Sequence, residues 1–368
     1  MNEKTKNLFT VCLLGALLLT LTLFCWLKPQ DDFSDSERRV LAQFPQIKWE
    51  KVLSAKWMSE FETYTLDQFP LRDDFRALKS AASLYVLNQK DTHDIFMANG
   101  HISKLEYPMK EDMLTYSADL FNSIYDKYLK DSGSNVYFSI IPDKNAYLAK
   151  ENGYLSMDYK KAIEFMKERT RFMEFIDISD MLSADDFYYT DTHWRQEKIV
   201  HIAEFLASQM GAQISGTYKE NTLDIPFYGV YCGQLALPQK PDTIIYLTND
   251  TIDDLIVTSY STGKPVPQSL YNMEKAAGKD AYEMFLSGAE AIVTIENPNA
   301  STDKELILFR DSFGGSIAPL FGEGYKKITV VDVRYVRSQV LDQFIEFNGQ
   351  DVLFLYSTVL LNNSLAMK

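Results

Sequence analysis

Five short runs of β-branched and aromatic residues constrain this chain more than anything else in it. They are residues 136–141 (VYFSII), 175–178 (FIDI), 306–309 (LILF), 328–333 (ITVVDV) and 352–356 (VLFLY). Each is nearly continuous in apolar character, as strands buried on both faces are, so they predict a parallel sheet covered by helices. Helical spacing falls between them. Residues 197–210 place Ile199, Ile202, Ala203, Leu206 and Met210 on one face, with Gly211 placed to end the helix. Residues 336–347 form a second candidate helix, closed by Asn348-Gly349. Strands alternating with helices predict an α/β fold. In such folds ligands sit at the carboxyl ends of the strands, which directs the search for chemistry.

The N-terminus predicts a different environment. Residues 8–27 run for twenty positions without a charge, about the length a helix needs to span ~30 Å of hydrocarbon. Lys4 and Lys6 precede the run and favour a cytoplasmic N-terminus, with the remainder outside the membrane. A cleaved signal peptide is the competing reading; the run is long for one, and no small-x-small site follows it. The predicted division is residues 1–29 as cytoplasmic tip and anchor, 30–90 as a juxtamembrane helical region, and 91–368 as the α/β domain. Within the second part, Phe75, Leu78, Ala82 and Tyr85 share a helical face. The net charge of −14 argues against nucleic acid as a partner, since neutralising phosphates needs a basic surface. Of three cysteines, Cys12 and Cys25 lie in the apolar run, so Cys232 has no partner for a disulfide in the rest of the chain.

Two segments at predicted strand ends carry candidate chemistry. Residues 306–309 run into Arg310-Asp311-Ser312-Phe313-Gly314-Gly315-Ser316. That placement exposes the Ser312 hydroxyl on a turn and brings backbone N–H groups, including those of Phe313 and Gly314, near an oxyanion position; a helix cap is the plainer reading. A serine hydroxyl needs a base, and only four histidines are present. In Thr190-Asp191-Thr192-His193-Trp194, extended backbone puts Asp191 and His193 on the same side, so the carboxylate can orient the imidazole. The same tripeptide recurs at Asp91-Thr92-His93, where no strand end precedes it; His93 and His101 are therefore expected at the surface, and His201 at a helix boundary or surface. No His or Cys pair has metal-ligand spacing, and no metal or other cofactor is predicted.

YYTDTHW before a helix, then strand-RDSFGGSIAPLF, VDVRY and DVLFLYS, resembles the DHHW family of exported Firmicute proteins. That family is similar to the AlgX/AlgJ group of SGNH-hydrolase-like polysaccharide O-acetyltransferases. SERRVLAQFP and FPLRDDFR extend the likeness from about residue 35 to the C-terminus. The resemblance implies a three-layer, SGNH-hydrolase-like (flavodoxin-like) parallel sheet in circularly permuted order. Strands at 304–310, 328–333 and 351–357 would come first in the ordinary order, followed by 136–141 and 175–178. It implies a Ser–His–Asp triad carried over to Ser312, His193 and Asp191. The activity it implies is acyl-ester transfer or hydrolysis on a cell-envelope or secreted polysaccharide, with a multi-pass membrane acyltransferase as acyl donor. The alternative is a non-catalytic carbohydrate-binding or envelope-assembly protein on the same fold. Arg334, at a strand end, matches a site-lining position in relatives, and Lys144 matches their PDK segment. Trp194, Tyr228 and Gln234 are candidate sugar contacts, with packing the competing role for Trp194. The sequence departs from the pattern at Thr192, Arg310 and Lys198-Ile199, and at Ser357, which stands where SGNH enzymes place an oxyanion-hole Asn.

Overall fold

In the computed structural model, which describes residues 2–214 and 217–368, backbone contacts divide the chain into two units. One holds Met1–His93 with Cys232–Pro238, the other Asp94–Tyr231 with Gln239–Lys368. The first begins with helix α1 (Glu3–Leu27), which is apolar and long enough to cross a membrane and has none of its residues buried. Gln68 follows α2 (Lys56–Asp67) and bonds both the N–H and the carbonyl of Asp31. Arg39 forks onto the Asp67 carboxylate, and Arg72 pairs with Glu37. The predicted face of Phe75 and Leu78 in α3 (Arg72–Ala81), continued by Tyr85, is solvent-facing rather than part of a core.

The second unit is built on an eight-stranded sheet. Its strands are β1 (Asn135–Ile141), β2 (Glu174–Phe175), β3 (Ile256–Ser259), β4 (Val266–Gln268), β5 (Ile292–Glu296), β6 (Glu305–Arg310), β7 (Lys327–Val331) and β8 (Asp351–Ser357). Their spatial order is β4-β3-β5-β7-β6-β8-β1-β2. From β7 to β2 every pairing is parallel. Counted from β6, the parallel set has the order 2-1-3-4-5 of flavodoxin-like sheets, with the chain entering it part-way. The permuted order expected from the sequence is therefore present. The wholly parallel sheet is not, because β5, β3 and β4 extend it in antiparallel fashion. Two of the three carry a weak pattern, since β3 alternates exposed and buried positions and Ile256 and Val266 stand in solvent; β5 is buried at four of its five positions and lies outside the predicted runs. The 175–178 run supplies only a two-residue strand.

The sheet has a core on each face. Leu306 and Leu308 of β6 point into one cluster with α6 (Val200–Gln209), while Ile307 and Phe309 point into the other with α4 (Glu111–Ile124) and α5 (Tyr159–Arg169). The predicted face of Ile199, Ile202, Ala203, Leu206 and Met210 is buried in the first cluster. At about 1.5–3 kcal/mol per large apolar side chain, it anchors the segment just after His193. Gly211 then leaves the helix with φ of +67°. Residues 336–347 do not form the predicted α-helix. Only a 3₁₀ turn, Ser338–Gln343, is present, and Val340 leaves helical space at φ −118°. The carbonyls of Ser338 and Gln339 accept instead from the Tyr128 hydroxyl and the Lys127 ammonium, which draws them off a helical ladder.

Candidate active site

Strands β6, β7, β8 and β1 all deliver polar residues from their carboxyl ends. Strand β6 ends at Arg310 and turns at once through Asp311 to Ser312, where the short helix Gly314–Ile317 begins. Asp311 is buried and organises that turn. Its carboxylate accepts from the Phe313 N–H at 3.0 Å, and from the Ser357 N–H and hydroxyl at 2.8 and 2.6 Å. The end of β8 is thereby tied to the serine loop. Gly314 is required by close approach, because a Cβ there would lie 2.4 Å from the Arg310 Cβ. Ser312 itself stays partly exposed.

The second loop is a hairpin-like turn. Phe187 and Trp194 pair as an antiparallel bridge, and the Tyr188 N–H donates to the His193 carbonyl at 3.0 Å. At the tip, Asp191 Oδ1 accepts from the His193 N–H at 3.1 Å and bonds His193 Nδ1 at 2.6 Å. Its Oδ2 accepts from the Val230 N–H at 2.8 Å. On the far side of the imidazole, Nε2 lies 2.8 Å from Ser312 Oγ. The three side chains thus form one chain of hydrogen bonds, with Asp191 and His193 buried and Ser312 half-buried.

The surroundings revise several sequence expectations. Lys144 is buried, and its ammonium donates to the carbonyls of Tyr188, Tyr189 and Asp191, so it is the post around which the histidine loop is wound rather than a substrate contact. Trp194 is fully buried. Its indole N–H reaches the Phe313 carbonyl at 3.0 Å and Ser316 Oγ at 2.9 Å, which staples the histidine loop to the serine loop and leaves no ring face for a sugar. Ser357 is committed to Asp311 and is not an oxyanion donor. The Phe313 and Gly314 N–H groups are likewise committed, to Asp311 Oδ1 and the Asp311 carbonyl. Of the backbone N–H groups of Ser312, Phe313 and Gly314, that of Ser312 is without an acceptor among the described residues. Arg334 is held bidentately by the buried Asp332, at 2.9 Å through Nε and 2.6 Å through Nη2, and a fifth of the side chain remains exposed. Tyr228 is half exposed. Gln234 lies in the other unit.

Of the other histidines, His93 is exposed as expected, whereas His101 is buried. It lies on the edge of the hairpin Ile95–Ala98/His101–Lys104, against the Tyr189 ring at 4.5 Å, because the neighbouring Ile102 N–H bonds the Tyr189 carbonyl. Burial holds its imidazole below the usual histidine range. Three supports of the histidine loop were not foreseen. Buried Asp242 accepts from the N–H groups of Tyr189 and Thr190 and from the Thr190 hydroxyl. Gly229 allows its segment to close on Thr190, where a Cβ would sit 2.3 Å from the carbonyl oxygen. Tyr282 stacks on His193. Each comes from a segment remote in sequence and has no local pattern; only Gly229, between Tyr228 and Val230, offered a hint of close approach.

No family model matches the chain, and no curated protein matches it. Among solved structures it is similar to a DHHW family protein from Eubacterium siraeum, at 23% identity and TM-score 0.62, over 75% of this chain and 94% of that one. It is also similar to Bacillus cereus PatB1, at 18% identity and TM-score 0.58, over 73% and 96%. The PatB1 structure with a sulfonyl adduct matches at 17% and 0.57, over 73% and 95%. The O-acetyltransferase domain of Pseudomonas putida AlgJ stands further off, at 12% and 0.43, over 73% and 92%. At these identities the likeness to the DHHW protein and to PatB1 is one of fold.

Proposed function

We propose that this chain is an acyl-ester transferase or esterase acting on a cell-envelope or secreted polysaccharide. The observation that carries the reading is the unbroken series from Asp191 through His193 to a partly exposed Ser312 hydroxyl, at 2.6 and 2.8 Å. Ser312 Oγ attacks the acetyl carbonyl while His193 Nε2 takes its proton. Asp191 holds the tautomer that presents Nε2 as acceptor and stabilises the imidazolium. The Ser312 N–H donates to the oxyanion of the tetrahedral intermediate. Collapse expels the alcohol portion of the acyl donor, which receives the proton from His193, and leaves an acetyl-serine. A sugar hydroxyl or water, deprotonated by His193, then attacks the acetyl carbonyl, and Ser312 departs as His193 returns that proton to its Oγ.

α1 fits an uncleaved anchor with Lys4 and Lys6 on the cytoplasmic side, residues 30–90 next to the membrane, and the domain from 91 onward outside. A multi-pass membrane acyltransferase as acyl donor fits that placement and rests on the family resemblance. Fold likeness does not by itself settle chemistry, so turnover is the test. The full chain in detergent should hydrolyse 4-nitrophenyl acetate, and Ser312→Ala and His193→Ala should each lower kcat/KM at least 10³-fold with melting temperature nearly unchanged. Equal rates in all three would dismiss the reading. A non-catalytic carbohydrate-binding role draws on one observation, the prior engagement of the Phe313 and Gly314 N–H groups. Binding of an acetylated glycan without ester turnover would decide for it.

A further inference from the structure

His193 is held at its edges by Asp191 and Ser312, but hydrogen bonds in the ring plane do not stop the ring from rocking about the line joining them. A third segment does. The Tyr282 ring lies on the imidazole face with centroids 3.9 Å apart and planes 10° from parallel. Tyr282 is itself immobilised: it is buried in the 3₁₀ turn Ala281–Met284, and its hydroxyl meets Ser316 Oγ at 2.8 Å. Ser316 Oγ also accepts from the Trp194 indole at 2.9 Å, so the stacked ring is tied to the residue that follows His193. The Phe313 ring, tilted at 5.0 Å, closes in from the serine loop.

We infer that Tyr282 is a positioning residue for His193, whose ring face fixes the imidazole plane and stabilises the imidazolium formed when Ser312 gives up its proton. The inference rests on the proposed acyl-transfer reading and adds a residue that no sequence motif marks. An aromatic face attracts a cation stacked on it, most strongly where water is excluded. Burial drives the phenol far above its usual range, so the ring presents a neutral face throughout the working pH range. Asp191 bonds the imidazole, and the Lys144 ammonium donates to the Asp191 carbonyl; Asp191, Asp311 and Arg310 act on Tyr282. None of these groups is altered by substitution at position 282.

Two measurements on the full chain in detergent test the inference. The first is the pH dependence of 4-nitrophenyl acetate hydrolysis. The second is NMR titration of ¹³C-labelled histidine, with the His193 signal assigned by its loss in His193→Ala. Tyr282→Phe keeps the stacked ring and should stay within about 3-fold of the parent in kcat/KM. Tyr282→Leu should lose about 3- to 30-fold, and both the acid limb and the His193 midpoint should move to lower pH. A Tyr282→Leu variant whose His193 midpoint stays at the parental value or rises, whatever its rate, overturns the inference, since loss of packing that admits water favours the imidazolium and can only move the midpoint up. A midpoint that falls while the parent chain shows no ester turnover supports the stacking role and overturns the acyl-transfer reading instead.

Discussion

Asp191 is the residue on which the proposed base depends. Its Oδ1 bonds the imidazole Nδ1 while its Oδ2 is fixed by the Val230 N–H, so the carboxylate cannot rotate away. Asp191→Asn removes the negative charge that stabilises the imidazolium and allows the amide to favour the wrong tautomer. We expect kcat to fall on the order of 10⁴-fold, measured with 4-nitrophenyl acetate, while Ser312 and His193 remain in place. The three residues of this series were legible in the sequence because each sits beside a predicted strand or helix boundary in a recognisable order. Lys144 and Trp194 were legible as important but not in role. Sequence does not reveal that an ammonium will be capped by three carbonyls, or that an indole will find its acceptors 119 and 122 positions away.

At the scale of elements, the site is a meeting of two loops held by separate devices. Asp311 binds the serine loop to the end of β8, while Lys144, Asp242 and the segment at Gly229 hold the histidine loop. Gly229 has no room for a side chain. Gly229→Ala should therefore push the Thr190–Asp191 backbone out of register, lowering kcat about 10²-fold and stability by about 1–3 kcal/mol. Kinetics and a thermal melt on the same preparation check both. The parallel strands were legible because burial on both faces leaves nearly unbroken apolar runs. The antiparallel extension was not: β3 is half-exposed and β4 has only three residues, which weakens their pattern, while β5, buried at four of its five positions, lies outside the predicted runs. The misread helix at 336–347 had apolar spacing near a helical repeat, but its carbonyls are claimed by side chains of another segment.

At the scale of the whole molecule, buried carboxyls link stability to pH: burial raises the pKa of Asp143, of Glu197 and, to about 7, of Glu106. Glu106 is buried near Asp143, and burial followed by that second carboxyl pushes it up to about 7, against an ordinary 4.5. The folded state therefore keeps a proton that the unfolded chain releases. The resulting stabilisation is fully present below about pH 4.5 and is lost as pH rises through about 7, on the order of 3 kcal/mol in all. Glu106→Gln should flatten that decline between pH 5 and 7 and raise the melting temperature at pH 8. Nothing in the local sequence marks Glu106, whose carboxylate accepts from the Asn362 amide more than 250 positions away.

Activation of Ser312 as a nucleophile by His193 can be read out by covalent labelling. The full chain, treated with an aryl sulfonyl fluoride and mapped by peptide mass spectrometry, should carry one adduct, on Ser312, and His193→Ala should slow its formation at least 10²-fold. An adduct elsewhere, no adduct, or labelling of Ser312 at an unchanged rate without the imidazole would contradict the account.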